Sequence, residues 1–283
     1  MAYFKFPKIL LIALAVVTQQ VALLAQTPPP PPPPENPPGR GSPTGRVDAA
    51  TRAQTTPPPP DNGAPTQREG AATRSPCLRV KNRLTALVPL VQKTASNGQG
   101  ANSTVVLGKT AAERPSFWFY VPYTFTPAHP VVFILQDEAD KDLYKATLEA
   151  SQTAPGVVGF ELPSTAPALE VGKRYHWSFS VYCNPEEAVF VAGWVERVAL
   201  NPSLLPQLEQ ATQGEKFALY QKADLWHEAI ATLAQLRRQN PEDAKLEAEW
   251  SNLLQSIDLN AIAPEPITAM LTQTIGPIDP SNF

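Results

Sequence analysis

From Tyr175 to Cys183 the chain alternates in steps of two. Tyr175, Trp177, Phe179, Val181 and Cys183 fall on one side of an extended backbone, and His176, Ser178, Ser180 and Tyr182 on the other. A stripe of that kind must lie against a core, so the chain has to be built around a sheet. The same beat recurs after the turn Asn184-Pro185-Glu186-Glu187, with Val189, Val191, Gly193 and Val195 opposite Phe190, Ala192 and Trp194. Upstream, strands are expected over Leu84–Val91, where Pro89 favours an edge, and over Thr104–Leu107, Val131–Gln136, Leu143–Leu148 and Val157–Leu162. The run Phe117-Trp118-Phe119-Tyr120-Val121-Pro122-Tyr123 is β in type, and its consecutive rings imply a central strand covered on both faces. A carbohydrate-stacking platform is the sharper alternative, and it makes Trp118 and Tyr120 candidate partner-binding residues.

Leu169 and Gly172, just ahead of Tyr175, stand as in the tyrosine corner of immunoglobulin-like sandwiches, where the phenol bonds backbone upstream. Short strands with turns every 8–12 residues, and no helical pattern between them, predict an immunoglobulin-like antiparallel β-sandwich over 77–200. The turn Asp137 to Asp142 is acidic. Glu138, Asp140 and Asp142 have the spacing of calcium-loop oxygens, but Leu143 stands where such a loop needs glycine, so a solvated hairpin tip is the reading.

Residues 1–25 read as an export signal: Lys5 and Lys8 precede an apolar run from Ile9 to Val17, and Ala25 marks a cleavage point. Sixteen of the 33 prolines lie between Pro28 and Pro76. Residues 26–76 are therefore expected to be a disordered proline-rich spacer, stiff where Pro28 to Pro34 runs unbroken. No later apolar stretch approaches the length of a membrane span. The two cysteines, Cys77 and Cys183, suit a structural disulfide in an oxidising compartment. Such a bridge closes a loop of roughly 100 residues, worth about 3–5 kcal/mol in the chain-entropy account.

From Leu204 the period changes to 3.6. Helices are expected over Gln207–Gln221, Trp226–Asn240 and Ala244–Ile257, giving a helical extension over 201–262. Tyr220, Ala229, Leu233 and Pro241 sit at tetratricopeptide offsets, so the extension reads as a helical hairpin containing a single tetratricopeptide-like unit. Trp226, at the start of its second helix, is a third candidate partner-binding residue. Residues 263–283 read as an irregular tail.

Four strings, Phe117 to Tyr123, Leu135-Gln136-Asp137-Glu138, Gly172 to Trp177 and Gly193-Trp194-Val195-Glu196-Arg197, together with Trp226 to Ala229, resemble an exported cyanobacterial family catalogued as a domain of unknown function. The resemblance spans Leu84 to Ile262. It implies a cyanobacterial source and an envelope or secreted setting, and it carries over no activity, cofactor or catalytic residue.

The net charge of −3 and the absence of a basic stripe argue against a nucleic-acid partner. His129, His176 and His227 lack metal-ligand spacing, and no nucleophile elbow or phosphate loop occurs. No catalytic, cofactor or metal residue is assigned. The expectation is a non-enzymatic envelope protein, periplasmic or extracellular, whose sandwich binds a protein or glycan partner. One alternative is a glycan- or peptide-directed hydrolase using Asp137, Glu138, Glu161 or Glu196, with His176 meeting Glu196 or Asp137 across strands. Another is a secretion or assembly partner acting through the C-terminal helices.

Overall fold

A computed structural model describes residues 68–70, 80, 82–93, 103–126, 129–149, 154–184 and 187–274. The export signal, nearly all of the spacer and Cys77 lie outside them. The strands are β1 (Thr85–Ala86), β2 (Leu90–Lys93), β3 (Ser103–Thr110), β4 (Ser116–Val121), β5 (Val131–Gln136), β6 (Asp142–Glu149), β7 (Gly156–Glu161), β8 (Arg174–Asn184), β9 (Glu187–Arg197) and β10 (Ile267–Gln273). Helices α1 (Leu205–Gln210), α2 (Gln213–Lys222), α3 (Trp226–Gln239) and α4 (Ala244–Gln255), then a 3₁₀ turn over Asn260–Ile262, stand between β9 and β10.

The ten strands form one sheet in the order β1-β4-β7-β10-β6-β5-β8-β9-β3-β2. Two facts show that it curls. The stretch expected as one strand, Leu84–Val91, is split at Leu87–Pro89, and its halves pair at opposite ends of the strand order. Three intervening residues reach only about 12–14 Å, so the two edges of the sheet lie close together. Phe119 of β4 also stacks on Phe179 of β8 at 4.0 Å between ring centroids, although four strands separate them in the order. The concave side is the core, with Phe117, Phe119, Phe133, Leu135, Phe160, Trp177 and Phe179 buried together.

The chain is thus mainly β, as expected, but its sheet is mixed rather than all antiparallel: β10 runs parallel to β7, and β3 parallel to β9. β10 forms within the stretch expected to be irregular. Its sequence, Ile-Thr-Ala-Met-Leu-Thr-Gln, has no clean alternation, and of its side chains only that of Leu271 is fully buried. Its position comes from backbone pairing, since it fills the slot between β7 and β6.

At the entrance to β8, Gly172 takes φ +82°, and the Tyr175 hydroxyl accepts from the Glu170 N–H at 2.8 Å. Arg197 of β9 donates to the Leu169 carbonyl and holds the same corner from the neighbouring strand. Residues 68–70, counted with the spacer by sequence, are ordered: Glu69 bridges to Thr85, and Arg68 donates to the Ile257 carbonyl at 2.7 Å.

The helix expected over Gln207–Gln221 is broken at Ala211–Thr212. There Thr212 and Glu215 form a reciprocal capping box that starts α2 afresh. The helices pack on the convex side of β4 and β7. Leu87, Trp118, Tyr120 and Val157 meet Ala229, Ile230, Leu233, Trp250, Leu253 and Leu254 in a second apolar layer.

Candidate functional site

Three consecutive residues at the start of α3 each tie it to a different part of the chain. Trp226 Nε1 donates to the Leu87 carbonyl at 2.8 Å. His227 Nδ1 donates to the Ser116 carbonyl at 2.9 Å, which makes Nδ1 the protonated nitrogen. Glu228 Oε1 accepts from Thr110 Oγ1 at 2.6 Å and from the N–H groups of Ala111 and Ala112 at 2.8 and 2.9 Å. Burial holds the His227 imidazole below its ordinary pKa, so it is neutral in this position. Gly108 makes the fit possible, because a β-carbon there would stand 2.6 Å from His227 Nε2.

With its first turn anchored, α3 lays one face over the sheet. Ala231, Gln235 and Gln239 follow one another at steps of four, and Arg238 stands three beyond Gln235, so all four share that face. Opposite them the convex side of the sheet presents Ser116 and Trp118 from β4, Glu161 from β7 and Met270 from β10. Together these residues line a cleft of about 460 Å³. Its floor is set by register: Trp118 pairs with Gly159, and Gly159 with Met270, so both large side chains cross over a glycine. In the next row Ser116 pairs with Glu161.

Among the described residues, no ion pair is formed by Glu161 or Arg238, and the side chains of Ser116, Gln235 and Gln239 form no hydrogen bond to another protein group. The neighbouring Arg237 is different: its guanidinium lies 5.5 Å from the centre of the Trp250 ring, and burial lowers its pKa. Arg238 therefore serves the cleft and Arg237 the helix packing.

The three aromatic candidates come together, but inside the layer between helices and sheet. Trp118 is 3% exposed and only its edge reaches the cleft. Tyr120 is 5% exposed beside Asn82 and Glu265, and its hydroxyl is pushed up in pKa, first by burial and then by Glu265. Trp226 is spent on Leu87. Sequence reasoning did not single out Gln235, Arg238 or Gln239. The signal was there in the polar residues on the sheet-facing side of an otherwise apolar helix stripe.

Of the four carboxylates weighed for hydrolysis, Glu161 alone lines the cleft. Glu196 is ion-paired with Arg174 at 3.1 Å, and Asp137 Oδ1 accepts from the N–H groups of Ala139 and Lys141 within the β5–β6 turn. Asp142 in the same turn accepts from Gln136 Nε2 at 2.8 Å. His176 donates from Nδ1 to Gln136 Oε1 at 3.1 Å and packs against Trp194, and burial pushes its pKa down to about 4. Among the described residues no group of three or more His, Cys, Asp or Glu could hold a metal ion. None of the described helices is long and apolar enough to cross a membrane. Cys183, half-buried, packs against the core at the end of β8.

Residues 69–267 match a family described as Domain of Unknown Function (DUF928). The chain belongs to that family. The DUF928 match opens at Glu69, which bridges to Thr85, and closes at Ile267, the first residue of β10, so it takes in nine of the ten strands and the helices together. No curated protein matches the chain. Among solved structures, CopC from Methylosinus trichosporium OB3b is similar at 17% identity, over 40% of this chain and 96% of CopC, with a TM-score of 0.27. That likeness is too slight to bear on fold or function.

Proposed function

We propose that this DUF928 chain is a non-enzymatic, exported envelope protein that binds a peptide or glycan partner in the cleft between α3 and the β4–β7–β10 face. The observation that carries the reading is the cleft's polar lining: Ser116, Glu161, Gln235, Arg238 and Gln239 leave their hydrogen-bonding capacity to an outside partner. A single lining carboxylate is a poor basis for glycoside hydrolysis, which uses two carboxyl groups roughly 5–10 Å apart. Export rests on residues 1–25 and on the proline-rich stretch after them, which would hold the domain away from a surface. The Cys77–Cys183 bridge belongs to the same reading. The immunoglobulin-like reading of the fold draws its support from the Tyr175 corner.

The test is retention of a digested envelope extract, containing peptides and glycan fragments, on the immobilised chain lacking residues 1–25. Wild type should retain discrete components. Ala231→Trp, which fills the cleft from its helical wall, should lose them while keeping the wild-type melting temperature. Equal retention by both proteins, or none by either, would overturn the reading.

A further inference from the structure

The cleft's chemistry also selects among ligands, and this inference rests on the binding reading above. The Trp118 indole is 3% exposed, and its Cη2 and Cζ2 atoms lie over Gly159 beside Met270 Sδ. Its ring face is therefore covered by protein, and a pyranose cannot stack on it. What the cleft offers instead is polar and spaced. Gln235 and Gln239 are one helical turn apart, about 6 Å along α3. An extended peptide repeats its same-side backbone groups every two residues, at about 6.6–6.8 Å. Each glutamine amide carries both donors and an acceptor, as peptide groups require. The charges are of opposite sign and come from opposite walls, Glu161 from the sheet and Arg238 from the helix, and among the described residues neither is ion-paired. A ligand that neutralises both carries one cationic and one anionic group, and the free ammonium and carboxylate ends of a peptide supply the two. The volume, about 460 Å³, falls in the small-ligand range of roughly 300–1,000 Å³.

The geometry points to a short extended peptide with a free amine and a free carboxylate as the ligand of this cleft, its amine at Glu161, its carboxylate at Arg238 and its backbone amides on Gln235 and Gln239. Trp118 Nε1, buried and without an acceptor among the described residues, reports on occupancy from the floor.

The experiment is NMR titration of the chain lacking residues 1–25, following the Trp118 indole N–H, assigned with Trp118→Phe, and the side-chain amides of Gln235 and Gln239. The probes are trialanine, N-acetyl-trialanine, trialanine amide and tetra-N-acetylchitotetraose. Trialanine should shift these signals saturably. Capping either end should weaken binding about three- to fivefold, the range of a solvent-facing charge pair. Glu161→Gln should weaken trialanine by the same factor yet leave N-acetyl-trialanine unchanged, and Arg238→Gln should do likewise for trialanine amide. Equal affinity for capped and free peptides would overturn the inference. So would a saturable shift from the oligosaccharide with none from trialanine, or no shift from any probe. If Ala231→Trp abolishes retention of envelope material while trialanine leaves the signals in place, the binding reading stands and the peptide assignment falls.

Discussion

At position 159, between Trp118 on β4 and Met270 on β10, a β-carbon would stand 2.6 Å from Met270 Sδ and 2.9 Å from Trp118 Cη2. Gly159→Val should therefore destabilise the protein by about 1–3 kcal/mol through overpacking, read from urea unfolding. Met270→Ala in the same chain should recover part of the loss, because the sulfur is the nearer obstacle. His176 gives a pH dependence of definite sign. Its folded pKa is about 4 and its unfolded value about 6.5, so between those limits the unfolded chain binds the extra proton. Stability is unaffected by this group above pH 6.5 and falls as pH drops through 6.5 to 4, by up to about 3 kcal/mol. His227, also held below its ordinary pKa by burial, acts in the same direction. Unfolding curves of wild type and His176→Gln at pH 7.5, 5.5 and 4.5 should converge as pH falls. Parallel curves would show that His176 is not the group responsible.

At the scale of elements, β10 is held by pairing to β7 and β6 and by one buried side chain, Leu271, at 4% exposure. Leu271→Ala should cost about 2–5 kcal/mol, as for other buried leucines. Amide exchange should accelerate in β10 and along the facing edges of β7 and β6 while β8 and β9 stay protected. Uniform acceleration across the sheet would mean that β10 is not a separate cooperative unit. Helix α3 is the opposite case. Its first turn is fixed by Trp226, His227 and Glu228 to three separate stretches, and its face over the cleft inherits that placement.

For the whole molecule, the pairing of Cys77 with Cys183 is the outstanding expectation. In protein recovered from an oxidising compartment, thiol labelling without reductant should modify neither cysteine. Reduction should lower stability by about 3–5 kcal/mol in the chain-entropy account. Labelling of both cysteines before reduction would remove the bridge and one support for export. The family match over residues 69–267 fits a unit in which sheet and helices fold together, since Leu87, Trp118 and Tyr120 are buried in one apolar layer with residues of α3 and α4.

Alternation is local, so residues 175–183 and 188–198 were legible as strands, and the aromatic run at 117–123 as one covered on both faces. The change of period at Leu204 was equally legible, because an amphipathic helix writes its buried face into the sequence. Other features depend on which segments meet. β10 has too little alternation to announce itself, and its place is set by open backbone groups on β7 and β6, which no window of sequence contains. The split at Leu87–Pro89 follows from the curl that brings the sheet edges together. The cleft needs Glu161, one of four carboxylates the sequence could not rank, with Arg238 and Met270, which nothing in the sequence singles out, and the three are far apart along the chain. Their meeting is decided by the register of three strands and the anchoring of one helix, so the tertiary structure alone places the candidate site.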